Sequence, residues 1–164
     1  MSLENTVSIV TGSATGLGAA VAIGLAERGS KLVINYTKSE KEAKETVEAC
    51  KAKGAEAILA QGDVGNDEDC QRIAKAALDK WGRIDVLVNN AGTTQFADHA
   101  KLDALDADDF LSIYRINVVG PYQMIRACAP AMKKQGMGRV VNISSIAGVT
   151  GIGSSVAYAA SKGA

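Results

Sequence analysis

Thr11-Gly12-Ser13-Ala14-Thr15-Gly16-Leu17-Gly18 decides the fold through its neighbours. Before it runs the short β-branched stretch Thr6 to Val10, and after it come Ala19-Ala20-Val21-Ala22-Ile23-Gly24-Leu25-Ala26, closing at Arg28-Gly29 like a helix C-cap. A glycine loop between strand and helix exposes backbone N–H groups at the positive end of a helix, which suits a pyrophosphate. The alternative is a tight turn that needs its glycines only for positive φ. The spacing G-x-x-x-G-x-G, from Gly12, Gly16 and Gly18, differs from G-x-G-x-x-G, and no lysine follows the last glycine to reach β- and γ-phosphates. Hydrolysis of a nucleoside triphosphate is therefore disfavoured.

Outward from the loop, strands and helices alternate. Lys31 to Tyr36 reads as a second strand, and Ser39-x-x-Glu42 as a capping box opening a charged helix that stops near Gly54. Ala57 to Ala60 reads as a third strand, Asp67 to Trp81 as a helix closed by Gly82, and Ile84 to Val88 as a fourth, buried strand. A long helical stretch begins near Asp106 and runs past Pro121 toward Lys134 with a kink or break, and Arg139 to Ile143 makes a fifth strand. This alternation predicts an α/β fold, a doubly wound parallel sheet covered on both faces, as a single domain over residues 1–164. Ligands in such sheets sit beyond the carboxyl ends of the strands.

Charge and composition narrow the function. The 18 basic and 18 acidic residues cancel, so no net field draws the chain to nucleic acid or an acidic membrane surface. Polar and glycine residues interrupt the uncharged stretch from Val140 to Ser161 too often for a membrane span, and no signal peptide is evident, so a cytoplasmic protein is expected. Cys50, Cys70 and Cys128 lack any paired spacing and fit reduced thiols, while a lone histidine, His99, leaves no metal site expected. Asp103, Asp106, Asp108 and Asp109 read as helix capping and solvated surface.

Near the end of the chain, Tyr158-Ala159-Ala160-Ser161-Lys162 sets a phenol and an ammonium on one face of a helix. Free tyrosine, with a pKa near 10, is a poor base at neutral pH unless positive charge stabilises its phenolate, and Lys162 supplies such a charge. Alone, Y-x-x-x-K is equally an amphipathic helix with one aromatic and one solvated lysine. Ser145, just past the fifth strand, is placed to hydrogen-bond a substrate oxygen, with Ser144 as its rival.

Together these segments resemble the classical short-chain dehydrogenases/reductases. The family's T-G-x-x-x-G-x-G is matched by Thr11 to Gly18, its adenine-contacting pair by Asp63-Val64, and its N-N-A-G by Asn89-Asn90-Ala91-Gly92. Within it the pattern is similar to 3-oxoacyl-[acyl-carrier-protein] reductases. The resemblance implies a Rossmann fold in which Gly12, Thr15, Gly16, Leu17, Gly18, Asp63, Val64, Asn89, Ala91 and Gly92 serve the cofactor. Its catalytic serine lies thirteen residues before the tyrosine, which selects Ser145. Tyr158 becomes the general acid/base, Lys162 also touches the nicotinamide ribose, and Asn117 holds a water linking the lysine to solvent. Read from its own segment, Asn117 equally suits a polar residue satisfying a kinked helix.

A carboxylate ending the second strand would select NAD by repelling a 2′-phosphate. Here the strand ends in Tyr36-Thr37-Lys38, so NADP is the expected cofactor and NAD the alternative, although Lys38 also reads as an ordinary solvated lysine. The expected reaction is hydride transfer between NADP(H) and a small-molecule carbonyl or alcohol, by an enzyme that is a homotetramer when complete. Family members continue past this helix into two further strands and a substrate-covering loop, so the domain is expected to be C-terminally incomplete. Two alternatives accompany this reading: a catalytically inactive nucleotide-binding or assembly module, and a nucleotide-sugar epimerase or dehydratase of the extended branch, whose T-G-x-x-G-x-x-G loop is absent.

Overall fold

A computed structural model describes residues 3–164. Five strands, β1 (Val7–Val10), β2 (Lys31–Tyr36), β3 (Ala57–Gln61), β4 (Val86–Asn89) and β5 (Arg139–Asn142), form one sheet in the order β3-β2-β1-β4-β5. Every pairing is parallel, with Ile9 opposite Val33 on one side and Leu87 on the other. The order reverses between β1 and β4, which opens a crevice at the carboxyl ends of those two strands.

Strand periodicity divides the core in two. Val7, Ile9, Val33 and Leu87 point to one face and pack with Ile73, Met124 and Cys128 of α3 (Asp67–Trp81) and α5 (Gly120–Gln135). Val10, Leu32, Ile34, Val86 and Val88 point to the other and pack with Ala22, Ala26, Ala43, Val47 and Cys50 of α1 (Gly16–Ala26) and α2 (Glu40–Ala52). The doubly wound Rossmann arrangement is thus as expected. In α1 the buried stripe is Gly18, Ala22 and Ala26, small side chains at i, i+4 and i+8 that let the helix sit close on the sheet. All three cysteines are free and buried. No helix of the described residues is long and apolar enough to cross a membrane.

Several local expectations are corrected. Ser39 precedes α2 but its side chain makes no capping bond. The loop helix begins at Gly16 rather than Ala19, and β1 starts at Val7, the Thr6 N–H being given to the Leu3 carbonyl at 3.0 Å. The break in the long helix is a π turn, Arg115–Val119, lying between α4 (Ala107–Tyr114) and α5. Pro121 lies in the first turn of α5 and has no N–H to donate back into that π turn. Asp106 caps α4 as the acidic cluster implied, exchanging bonds with Asp109 in a capping box. Two short helices, α6 (Ala147–Thr150) and α7 (Val156–Gly163), follow β5.

Candidate functional site

The glycine loop is held from behind by polar side chains. Gly12 has φ +61°, and a Cβ on it would stand 2.9 Å from the Ala91 Cα, so the loop after β1 and the loop after β4 touch backbone to backbone. At Gly18 a Cβ would lie 2.5 Å from the Asn90 amide nitrogen, a position only glycine can occupy without displacing its neighbour. The Thr11 hydroxyl accepts the Asn90 and Ala91 N–H groups at 3.0 Å each, and the Asn90 amide donates to the Thr11 and Gly12 carbonyls. No side chain caps α1 and its first turn holds no acidic residue, so its N–H groups remain available to an anion.

Asn35 organises this region, and sequence reading missed it. Buried to 2% exposure in β2, its side chain accepts the Gly12 N–H at 3.0 Å and donates to the Ala60 and Gly62 carbonyls at 3.1 and 3.0 Å. Its backbone exchanges bonds with Ser13, whose hydroxyl donates to Val10. One amide therefore ties together the ends of β1, β2 and β3. An asparagine inside Val33-Ile34-Asn35-Tyr36, in a strand buried on both faces, was the available signal, since a buried amide requires partners.

A cleft of about 670 Å3 opens over these strand ends. Of the expected cofactor residues it gathers Gly12, Tyr36, Thr37, Lys38, Asp63, Val64, Ala91 and Gly92. Thr15, Gly16 and Leu17 lie on the exposed turn into α1 and do not line it, and Gly18 is buried beneath. Asp69 and Arg72 of α3 join the wall unforeseen; Asp69 accepts the Asp63 N–H at 2.8 Å and pairs with Arg72 at 2.5 Å. Asp63 turns one oxygen to the Gly65 N–H, while the other is 3.5 Å from Arg115. Lys38 thus lines the cleft as a cation, whereas Arg72 is already joined to a carboxylate.

Asn89 is placed elsewhere than expected. It lines a second cavity, of about 430 Å3, with Asn117, Asn142, Ser144, Ser161 and Lys162, and the two cavities share Ala91. The Asn89 amide donates to the Asn142 side chain at 2.9 Å, fastening β4 to β5 in keeping with a sheet-steadying role, and leaves its own buried oxygen unpaired. Asn117 sits mid-way along the π turn, 7% exposed. Its amide accepts the Thr93 N–H at 2.8 Å and donates to the Thr93 carbonyl and the Ser161 hydroxyl at 2.9 Å each. It therefore braces the loop after β4 against α7. The point where a Cβ on Gly92 would sit is 3.3 Å from the Asn117 oxygen and 3.5 Å from the Lys162 nitrogen, so these two groups face a common gap.

Tyr158 and Lys162 do share a helix face. The ammonium lies 5.9 Å from the Tyr158 ring centre, within cation–π range, and donates to the Ile143 carbonyl at 2.9 Å. Burial holds the Lys162 amine below the usual lysine range. The buried Ser155 caps α7 by accepting the Tyr158 N–H, a role that sequence reading also missed. The two serines separate cleanly: the Ser144 hydroxyl donates to the Lys162 carbonyl at 2.6 Å, whereas Ser145 is half-buried and its hydroxyl accepts the Ala147 N–H at 3.2 Å. Ser144 thus anchors the lysine's backbone and Ser145 keeps its own proton to donate.

Comparison with known proteins bears on the family and the fold. A family model described as short chain dehydrogenase matches residues 6–164. The chain is 38% identical over 156 residues to a 3-oxoacyl-[acyl-carrier-protein] reductase of Synechocystis, covering 95% of this chain and 62% of that one. It is likewise 38% identical over 150 residues to an L-rhamnose 1-dehydrogenase (NAD(P)(+)) of Sphingomonas, covering 91% and 58%. A solved short-chain dehydrogenase/reductase chain from Burkholderia xenovorans superposes with a TM-score of 0.94 at 39% identity, over 99% of this chain and 68% of that one. The chain spans about 63% of the length of the first curated relatives it matches.

Proposed function

This chain belongs to the short-chain dehydrogenase family, and from that premise we propose that it carries the nucleotide-binding and catalytic parts of an NADP(H)-dependent oxidoreductase acting on a carbonyl or alcohol. The observation that carries the reading is the pairing of Tyr158 with Lys162, whose ammonium lies next to Gly92 in the wall of the 670 Å3 cleft.

The residues fit the cofactor. The cleft of about 670 Å3 is floored by Gly12, where a side chain would strike Ala91, and it runs from the glycine loop to the end of β2. The N–H groups of α1 and the loop would hold the pyrophosphate, Asp63 and Val64 the adenine, and Tyr36, Thr37 and Lys38 the ribose end. The absence of a carboxylate at Tyr36 and the cation at Lys38 favour the 2′-phosphate of NADP(H).

When bound, the nicotinamide supplies or accepts a hydride at the substrate's carbonyl carbon. Ser145 hydrogen-bonds the substrate oxygen and steadies the charge that develops there. Tyr158 gives its phenolic proton to that oxygen in reduction and takes it back in oxidation. Lys162, oriented by the Ile143 carbonyl, steadies the phenolate left behind. Its proton supply runs toward the gap it shares with Asn117, whose oxygen retains an unused lone pair for a water. Reduced, buried cysteines accord with a cytoplasmic setting, and assembly into a homotetramer belongs to the same reading.

The test is turnover of NADPH with a panel of ketones by protein whose intact mass has been measured. Oxidation of NADPH by the wild type, absent in Tyr158→Phe, is the expected result. Cofactor binding without turnover on any carbonyl would leave a nucleotide-binding module instead.

A further inference from the structure

We propose that Thr46, on α2, is a positioning residue for the cofactor's pyrophosphate: by drawing the Ala14 carbonyl into the core it turns the Thr15 N–H outward, toward the anion. The proposal rests on the cofactor-binding reading of the glycine loop and goes beyond it by naming a residue outside that loop on which anion binding depends.

Thr46 stands out on its own helix. The buried stripe of α2 is Ala43, Thr46, Val47 and Cys50, the i, i+3, i+4 and i+7 positions of an amphipathic helix, and Thr46 is its one hydroxyl-bearing member. A buried hydroxyl costs free energy unless it has a partner. A threonine inside a helix can find one in the carbonyl a turn earlier, which here belongs to Glu42. Thr46 instead spends its single proton on the Ala14 carbonyl, 3.0 Å away and 32 residues back along the chain.

That bond fixes a peptide plane. In a trans peptide the carbonyl of one residue and the N–H of the next point in opposite directions, so a carbonyl held inward presents the following N–H outward. Ala14 is buried, whereas Thr15, Gly16 and Leu17 are exposed, and the plane between Ala14 and Thr15 lies where the loop emerges. Three preceding carbonyls are turned in by other donors: Val10 by the Ser13 hydroxyl at 2.7 Å, and Thr11 and Gly12 by the Asn90 amide at 2.9 and 3.1 Å. Those donors belong to the glycine loop and to the loop after β4, while Ala14, the last residue before the exposed turn, is held from α2. An outward carbonyl would set partial negative charge against the phosphates, in a loop whose affinity for them comes from N–H groups. Without the Thr46 hydroxyl the Ala14 carbonyl loses its buried donor, and the plane rotates toward water for a new one, the orientation that repels an anion.

The experiment compares, in the full chain, wild type, Thr46→Val, which exchanges the hydroxyl for a methyl of similar size, and Thr46→Ser, which keeps it. Dissociation constants are measured for NADPH and for adenosine 2′-monophosphate, which carries the adenine end of the cofactor without the pyrophosphate, at a temperature where thermal unfolding shows each variant to be folded. Thr46→Val is expected to raise the NADPH constant about tenfold and to leave that for adenosine 2′-monophosphate within about twofold, and Thr46→Ser to restore most of the NADPH affinity. An unchanged NADPH constant overturns the proposal, as does an equal weakening of both ligands, which would make Thr46 a staple of the fold alone. A second measurement needs no variant: the Thr15 amide proton resonance of the wild type is expected to move downfield on addition of NADP+, and a resonance that stays in place while NADP+ binds overturns the assignment. Wild type that binds neither NADPH nor NADP+ would remove the cofactor reading and this proposal with it, whereas wild-type binding that Thr46→Val leaves intact removes the proposal alone.

Discussion

The two sides of the sheet differ in how far they are sealed. β2 carries five consecutive buried residues, Leu32 to Tyr36, between helices on both faces, whereas all four residues of β5 are exposed, with Val140 at 41% and Val141 at 46%. The cofactor cleft lies over the sealed side and is braced by Asn35, Thr11 and Asn90 inside the core. The Ser145-Tyr158-Lys162 group lies beyond the open side, fixed by a few contacts: Ser144 to the Lys162 carbonyl, Lys162 to the Ile143 carbonyl, and the close approach of Gly148 to Gly163. The cleft and the Ser145-Tyr158-Lys162 group thus rest on different sets of contacts, so under the proposed function single substitutions should separate them.

The sharpest separation is expected at Tyr158→Phe. Removing one hydroxyl from a half-exposed ring should lower kcat by about 10²- to 10⁴-fold while Tm and NADPH affinity stay at their wild-type values; steady-state kinetics, thermal unfolding and fluorescence titration report the three. Comparable losses in affinity would erase the division between the two sides. Asn35→Ala is the reciprocal probe. It strands the buried Ala60 and Gly62 carbonyls and the Gly12 N–H, and should cost about 3 kcal/mol of stability together with weaker NADPH binding. Chemical denaturation that left the midpoint in place would show that the loop is held by other means.

Asp85, at the opposite end of β4 between β1 and β5, tests whether stability away from the cleft also depends on charge. Burial pushes its carboxyl pKa up, but the Arg83 guanidinium at 2.7 and 2.8 Å, the Val7 N–H at 2.8 Å and the more distant Arg139 outweigh it, and the net shift is downward. A carboxylate depressed on folding contributes stability that is complete above its unfolded pKa of about 3.9 and is lost as pH falls through the lower, folded value. Asp85→Asn should therefore cost about 2 kcal/mol at pH 7, and the gap to wild type should close below about pH 4. Parallel melting curves that keep their separation down to pH 2 would reject the assignment.

The smallest effect is expected at Lys38→Ala. An exposed lysine facing a 2′-phosphate contributes about 0.2–1 kcal/mol, so the NADPH dissociation constant should rise about 1.4- to fivefold while that for NADH is unchanged. Equal changes for both would return Lys38 to the ordinary solvated surface.

Legibility in the sequence followed the same division between local and distant. Five strands and their order along the chain were visible because alternating and continuous apolar runs act within a few residues. Boundaries erred where a residue turned back to a local partner, as Thr6 does to Leu3, or declined one, as at Ser39. Asn117 was open between relay and helix repair; the structure shows its amide bracing Thr93 and Ser161, with one acceptor site left toward Lys162.

The sequence by itself determined the glycine loop between strand and helix, the parallel α/β architecture and the common face of Tyr158 and Lys162, all consequences of spacing along one segment. Only the tertiary structure decided that Asn35 is the clasp of three strand ends, that Asn89 faces the lysine-side cavity, and that Ser144 anchors the Lys162 backbone while the Ser145 hydroxyl does not. Each of those assignments depends on a partner brought from a distant part of the chain, and a side chain's hydrogen-bonding role is set by which partners the fold leaves within about 3 Å of it.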